Sequence, residues 1–328
     1  MLHMGLISRA MRVRYTDAGQ HDGGCTTSAN QQLPLSAGDR VMELAVELIG
    51  QGLITGSGYA LIAVGLTMIF GLMNLANFAH GEFYMLGAYV TFSGVSLLGL
   101  NYFVAVALAI AATMLLGFVL DRLVFRRLRR EPIMSATMAT IGLSILLQYG
   151  AQMIWGAYPL SIRNPFPPEP LAIGPIIVPA NRLFIIAVTI VVIALFHWLL
   201  RFTRLGKAIR ATFQNKESAA LVGIEIERIY TTAFTMGAGL AAISGALLGS
   251  VLTLFPTMGG FATLKAFIVV IVGGMGSFLG AIVGGLLLGV AEALGAGFIS
   301  SAYKDAAGFI VIIVVLLVAP QGLFGGKS

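Results

Sequence analysis

The sequence predicts an all-α polytopic membrane protein with about eight transmembrane helices and one substantial cytoplasmic loop, on three observations. Of the 328 residues, 58% are hydrophobic and only 10% charged, against about 25% charged in a soluble domain. Apolar runs of roughly 18–25 residues recur along the chain, the length that crosses a hydrocarbon core of about 30 Å at about 1.5 Å per residue. Ten of the twenty Lys and Arg gather in two places, Arg122 to Arg130 and Arg201 to Lys216. Both clusters flank apolar runs, which is the positive-inside pattern and not a nucleic-acid face.

Residues 1–41 stand apart. They are polar, unpatterned and without an apolar stretch of signal-peptide length, so they read as a disordered N-terminal extension ahead of a natural start at Met42. Residues 42–328 form the transmembrane domain. Spans are expected near 50–71, 78–98, 102–121, 136–156, 182–200, 229–254 and 306–320. A longer run between Lys265 and Leu294, interrupted by Gly273, Gly274 and Gly276, is either one tilted helix or a broken pair. Arg122 to Arg130 and the loop 201–228 fall on the cytoplasmic side, two spans apart. The six-proline connection 164–179 then lies outside, as does the start of the first span. A cytoplasmic C-terminus requires the glycine-interrupted run to cross twice. No internal repeat is visible in the sequence. The single cysteine, Cys25, excludes an internal disulfide and a multi-thiolate metal site.

Three segments carry the polar or small residues from which chemistry would be built. The loop 201–228 contains Asn215, Glu217, Ala219, Ala220 and Gly223. Its small residues suit a short helix lying in a groove on another protein, with the glycine ending it. An amphipathic helix held by lipid headgroups fits the same composition. The segment 74–90 places Asn74, Asn77, His80 and Glu82 at the junction of the first two spans. Ionisable groups at membrane depth are costly and face a cavity or a partner. These four line a transport path, or else the asparagines cap the second helix while His80 and Glu82 pair with a neighbour. One His beside one Glu lacks the ligand count for zinc, so no metal site is expected. The third segment is a small-residue ridge for helix packing, Gly276, Gly280 and Gly284, repeated at Gly285 and Gly289 and at Gly245 and Gly249.

Enzyme signatures fail on inspection. GGKS at 325–328 imitates the end of a phosphate-binding loop, but the earlier glycine position holds Gln321. GAGLAA at 237–242 lies inside a transmembrane run with no strand before it. Lys265, Glu292 and Asp305 are scattered along the last third, and a proton relay through them is the weaker reading.

Taken together, 56–90, 203–224 and 264–289 resemble the permease subunit of branched-chain amino acid ABC importers, the LivH type. The order Glu217-Ser218-Ala219 followed by Gly223 is similar to the Glu-Ala-Ala-x-x-x-Gly signature of such permeases. The proline that commonly follows is absent from 224–234. The resemblance covers nearly everything from Met42 onward. It implies an inner-membrane, non-enzymatic transport subunit whose coupling loop is carried by Asn215, Glu217, Ala219, Ala220 and Gly223. The implied partners are a second related permease subunit, two ATPase subunits and a periplasmic substrate-binding protein. The chain itself would bind no cofactor, ATP and Mg being used by the ATPases. Permeases for urea and short amides are similar over the same blocks. Apolar lining from Phe78, Met85 or Phe267 would suit Leu, Ile or Val. An ion-coupled secondary transporter using Glu82 or Glu292 is the competing class.

Overall fold

A computed structural model describes residues 37–163, 166, 171–173 and 176–325; most of the segment 1–41 lies outside the described residues. The first helix, α1 (Ala37–Met73), begins ahead of Met42, so the expected boundary and the expected first span at 50 both fall inside it. Next come α2 (His80–Phe92), extended by a π-helical turn at Ser93–Leu97, and α3 (Tyr102–Leu120). A second π-helical turn, Asp121–Phe125, and a final turn, Arg126–Leu128, complete α3. Then follow α4 (Ile133–Trp155), an antiparallel pair β1 (Leu171–Ile173) and β2 (Ile176–Val178), and α5 (Ala180–Phe202). The small hairpin is a feature the apolar-run reading does not contain. Two short helices, α6 (Arg204–Gln214) and α7 (Lys216–Leu221), occupy the basic loop. The chain ends with α8 (Ile226–Leu248), α9 (Met258–Gly273), α10 (Phe278–Phe298) and α11 (Lys304–Val318).

Among the described residues, seven helices are long and apolar enough to cross a membrane, namely α1, α3, α4, α5, α8, α10 and the segment Ser301–Val318 that contains α11. Helices α2 and α9, of 13 and 16 residues, are too short to cross alone. Local chemistry sets the boundaries. Asn101 caps α3 by accepting from the Phe103 amide at 3.0 Å, and Ser277 caps α10 by accepting from Gly280 at 3.0 Å. Proline precedes α4 and α5 at 132 and 179, where a missing N–H costs nothing.

The glycine-interrupted run is a broken pair. Gly274 and Gly276 take φ of +98° and +85°, turning the chain between α9 and α10. Gly276 therefore belongs to the turn and not to the packing ridge; it needs its glycine for backbone conformation. Gly280 and Gly284 do lie at an interface, against Gly273 and Val269 of α9, while Gly285 and Gly289 lie against Ala60, Gly56 and Gly52 of α1. Gly245 packs on the Tyr84 backbone, and Gly249 closes the end of α8 beside Ala88. Without a Cβ at these positions the backbones approach to a distance no larger residue allows.

In both sets, α1–α4 and α8–α11, a long first helix (37 and 23 residues) is followed by a shorter second one (13 and 16). Helices α1 and α8 cross at Gly65 and Gly237 and again at Gly58, whose carbonyl accepts from Ser244 at 2.9 Å. Helices α2 and α9 meet start to start, where a Cβ on Gly81 would strike the Gly259 carbonyl. The Gly81 amide donates to Thr263 Oγ1 at 2.9 Å. With α1 running towards the basic face and α8 away from it, the two halves are inverted, an arrangement known from membrane transporters. Helices α1 and α8 form the buried axis and α11 the periphery. The segment after α11 returns to the basic face, where the Leu323 and Phe324 amides donate to Val272 and Gly273 at 2.8 and 3.1 Å.

Candidate functional site

Two places bring the candidate residues together. On the basic face, Thr203 starts α6 by accepting from the Gly206 amide at 3.0 Å. The apolar side of α6 is spent inside the protein, with Ile209 and Thr212 buried and Phe213 against Phe278. Asn215 then caps α7, accepting from Ser218 at 2.9 Å. Ala219 is buried, whereas Glu217, Ala220 and Gly223 face water. Gly223 adopts φ +86°, and two amides close the helix: Gly223 to Ala220 at 3.0 Å and Ile224 to Ala219 at 3.1 Å. That is the Schellman ending, which only a residue tolerant of left-handed backbone permits. Its consequence is a tip where Leu221 and Val222 are 88% and 77% exposed beside a run of cations.

The second place lies in the middle of the bundle. From Met73 the chain turns at Asn74, φ +51°, and climbs through 74–79 to the start of α2. His80 Nε2 is 3.1 Å from the Ile62 carbonyl, about 16 Å up α1 from Met73 at about 1.5 Å per residue. Asn77 accepts from the Ala79 amide at 3.1 Å, and its carbonyl accepts from His80 at 3.2 Å. Glu82 is wholly buried, and its Oε1 accepts from Ser144 Oγ and Gln148 Nε2 of α4, both at 2.7 Å. Its Oε2, like Asn77 Nδ2 and His80 Nδ1, is buried with no hydrogen-bond partner.

Asn77, His80 and Glu82 are thus all buried around the start of α2, His80 towards α1 and Glu82 towards α4 and α9, and Asn74 is not among them. Asn74 is exposed at the basic face, lining a 370 Å³ pocket with Phe213, Ser277 and Phe324. Phe78 is part-exposed near the junction, its ring 5.1 Å from that of Phe267, and Phe261 is exposed. Met85 is fully buried, so it lines no opening; its side chain is core.

The sequence profile described as the permease component of branched-chain amino acid transport systems matches residues 48–319. The chain belongs to that family. LivH of Salmonella typhimurium, a high-affinity branched-chain amino acid transport system permease protein, is 36% identical over 84% of this chain and 93% of its own. BraD of Pseudomonas aeruginosa, from a system of the same description, is 36% identical over 84% of this chain and 94% of its own. LivM of Salmonella typhimurium is 29% identical over 81% of this chain and 67% of its own. Among solved structures, PsaBC from Streptococcus pneumoniae in complex with Fab aligns over 84% of this chain and 92% of that one, at 12% identity and TM-score 0.46.

The permease also carries two charge networks, each with a buried centre, that join helices distant in the sequence. Lys265 of α9 pairs with Glu292 of α10 and, at 2.8 Å, with Asp305 of α11. The Tyr59 hydroxyl of α1 donates to Glu292 at 3.0 Å, so the three scattered charges are one cluster across four helices. At the basic end of α3, Arg129 pairs with the buried Asp121 and with Glu227 of α8 at 2.9 Å. Thr231 donates to Asp121 at 2.7 Å. A signal existed for the first network: a charge inside an apolar span with no partner in its own span must find one across helices.

Proposed function

We propose that this permease is the inner-membrane subunit of an ATP-driven importer that translocates branched-chain amino acids delivered by a periplasmic binding protein. The observation that carries the reading is the α6–α7 segment on the basic face. Because α6 buries its own apolar side against the bundle, Leu221 and Val222 are left as a protein-docking tip rather than a lipid-facing stripe. Asn215, Glu217, Ala219, Ala220 and Gly223 shape that tip into the dock for an ATPase subunit. Two ATPases bind ATP and Mg and hydrolyse the nucleotide; this chain contributes transport, not hydrolysis. A second, related permease completes the pathway, as the names of the relatives LivH and LivM suggest for their own system. Closure of the ATPase pair moves the docked segments and shifts the permease pair between outward and inward openings. Asn77, His80 and Glu82 lie on the path, with Asn74 at its cytoplasmic mouth.

The test is reconstitution of the chain with its partners in vesicles, followed by ATP-dependent uptake of leucine. Glu217→Arg and Gly223→Trp should abolish uptake while leaving membrane insertion intact. Uptake by the purified chain alone, insensitive to ATP, would instead place it among ion-coupled transporters. Uptake of urea or a short amide in preference to leucine would reassign the cargo.

A further inference from the structure

Glu82 is a carboxylate at the centre of the bundle without a cation. Two neutral donors, Ser144 and Gln148, serve Oε1, and Oε2 has none. It stands where the starts of α2 and α9 meet, and its Oε2 lies so close to Gly259 that a Cβ there would strike it. The barrier towards the open face is thin. Gly260 is part-exposed, and the only atom a Cβ on it would meet within 4 Å is Gln148 Nε2, at 3.3 Å. The carboxylate is therefore separated from that face by one side chain and a glycine backbone. Near these residues in the chain, Phe78 and Phe261 present exposed rings and Leu264 an exposed isobutyl group.

We infer that Glu82 receives the ammonium group of a zwitterionic amino acid crossing the bundle, while Phe78, Phe261 and Leu264 contact its aliphatic side chain. Among the described residues no cation stands beside this carboxyl, and its free oxygen is open to an incoming one. A substrate ammonium supplies the charge and the hydrogen bonds that Ser144 and Gln148 do not. Gln148 moves aside as the ammonium arrives, exchanging its bond to Glu82 for water or substrate. This inference rests on the importer reading and deepens it by naming the group that holds the substrate's ammonium.

Glu82→Gln separates a charge role from a structural one. The amide oxygen still accepts from Ser144 and Gln148, so the α2–α4 bridge survives, but the negative charge is gone. In the reconstituted complex, Glu82→Gln should co-purify with the ATPase subunits and melt at the temperature of the parent, while leucine uptake falls at least tenfold. Glu82→Asp should recover part of the uptake. Uptake by Glu82→Gln equal to the parent overturns the inference, because a carboxyl that works when neutral is a structural or protonated group. Loss of co-purification or a fall in melting temperature in Glu82→Gln and Glu82→Asp alike also overturns it, showing a packing role. If the parent complex itself shows no ATP-dependent uptake, the importer reading fails instead, and that failure is visible before any variant is compared.

Discussion

Gly223 is the residue on which the exposed tip of α7 turns, and its conformational demand differs from its steric one. A Cβ built there meets nothing within 4 Å, so the φ of +86° is the sole obstacle to substitution within this chain. An L-residue held in left-handed backbone costs about 1–2 kcal/mol, with Asn among the residues that visit it routinely. Gly223→Asn should keep ATP-dependent uptake close to the parent. Gly223→Val, β-branched and ill suited to positive φ, should unwind the end of α7 and cut uptake several-fold. Neither should shift the melting temperature of the complex much, because the site is exposed. Equal uptake by the two variants would show that the turn is not what presents Leu221 and Val222. The glycine was visible in the sequence as the end of a seven-residue pattern. The two hydrophobic residues it displays were not, since a Leu-Val pair in an apolar chain carries no signal until its exposure is known.

At the level of elements, the network at Asp121 joins α3 to α8 directly above the basic loop. Asp121 is wholly buried and the Arg129 side chain 7% exposed, so each depends on the other for compensation. Arg129 also lies over the Tyr230 ring at 4.9 Å, and Lys216 of α7 approaches the same ring at 5.9 Å. Helix α7 is thereby tied to the base of both helices. Removing one member of a buried pair leaves an uncompensated charge and costs about 3–5 kcal/mol. Arg129→Met should therefore lower the stability of the purified permease strongly. Asp121→Asn combined with Arg129→Met should cost less than the two changes added together, by about 1 kcal/mol or more. By contrast Arg126, half-exposed and 3.6 Å from Glu227, should tolerate alanine within about 1 kcal/mol. Thermal or denaturant unfolding in detergent measures each of these variants. An additive cycle would mean that the pair does not act as a unit. Such networks explain what the sequence concealed: hydropathy locates spans but says nothing of rotation, so Lys265, Glu292 and Asp305 looked scattered until their helices met.

For the whole molecule, the inverted repeat sets which surfaces each side of the membrane can reach. The long helices were legible from composition, because an apolar run of about 20 residues matches the thickness of the hydrocarbon core. The half-length helices were not, because a hydropathy window merges α2 with the climbing segment before it. The same merging hid the repeat, which is a property of chain direction and not of residue similarity. Inversion predicts that the loop entering α2 opens to the cytoplasm while the loop entering α9 opens to the opposite side. Asn74, exposed before α2, and Leu252, 40% exposed before α9, report on the two loops. With Cys25 replaced by serine, a cysteine at 74 should react with a membrane-impermeant thiol reagent only in inside-out vesicles. A cysteine at 252 should react only in right-side-out cells. Val222→Cys and Tyr158→Cys, both strongly exposed in loops of fixed side, calibrate the two preparations as cytoplasmic and external. If 74 and 252 label from one side, the halves are parallel, and the start-to-start meeting of α2 and α9 around Glu82 could not serve both openings. Labelling from opposite sides makes the junction at Gly81 and Gly259 the floor of each loop. That is the geometry a path needs if one site is to be presented first outward and then inward.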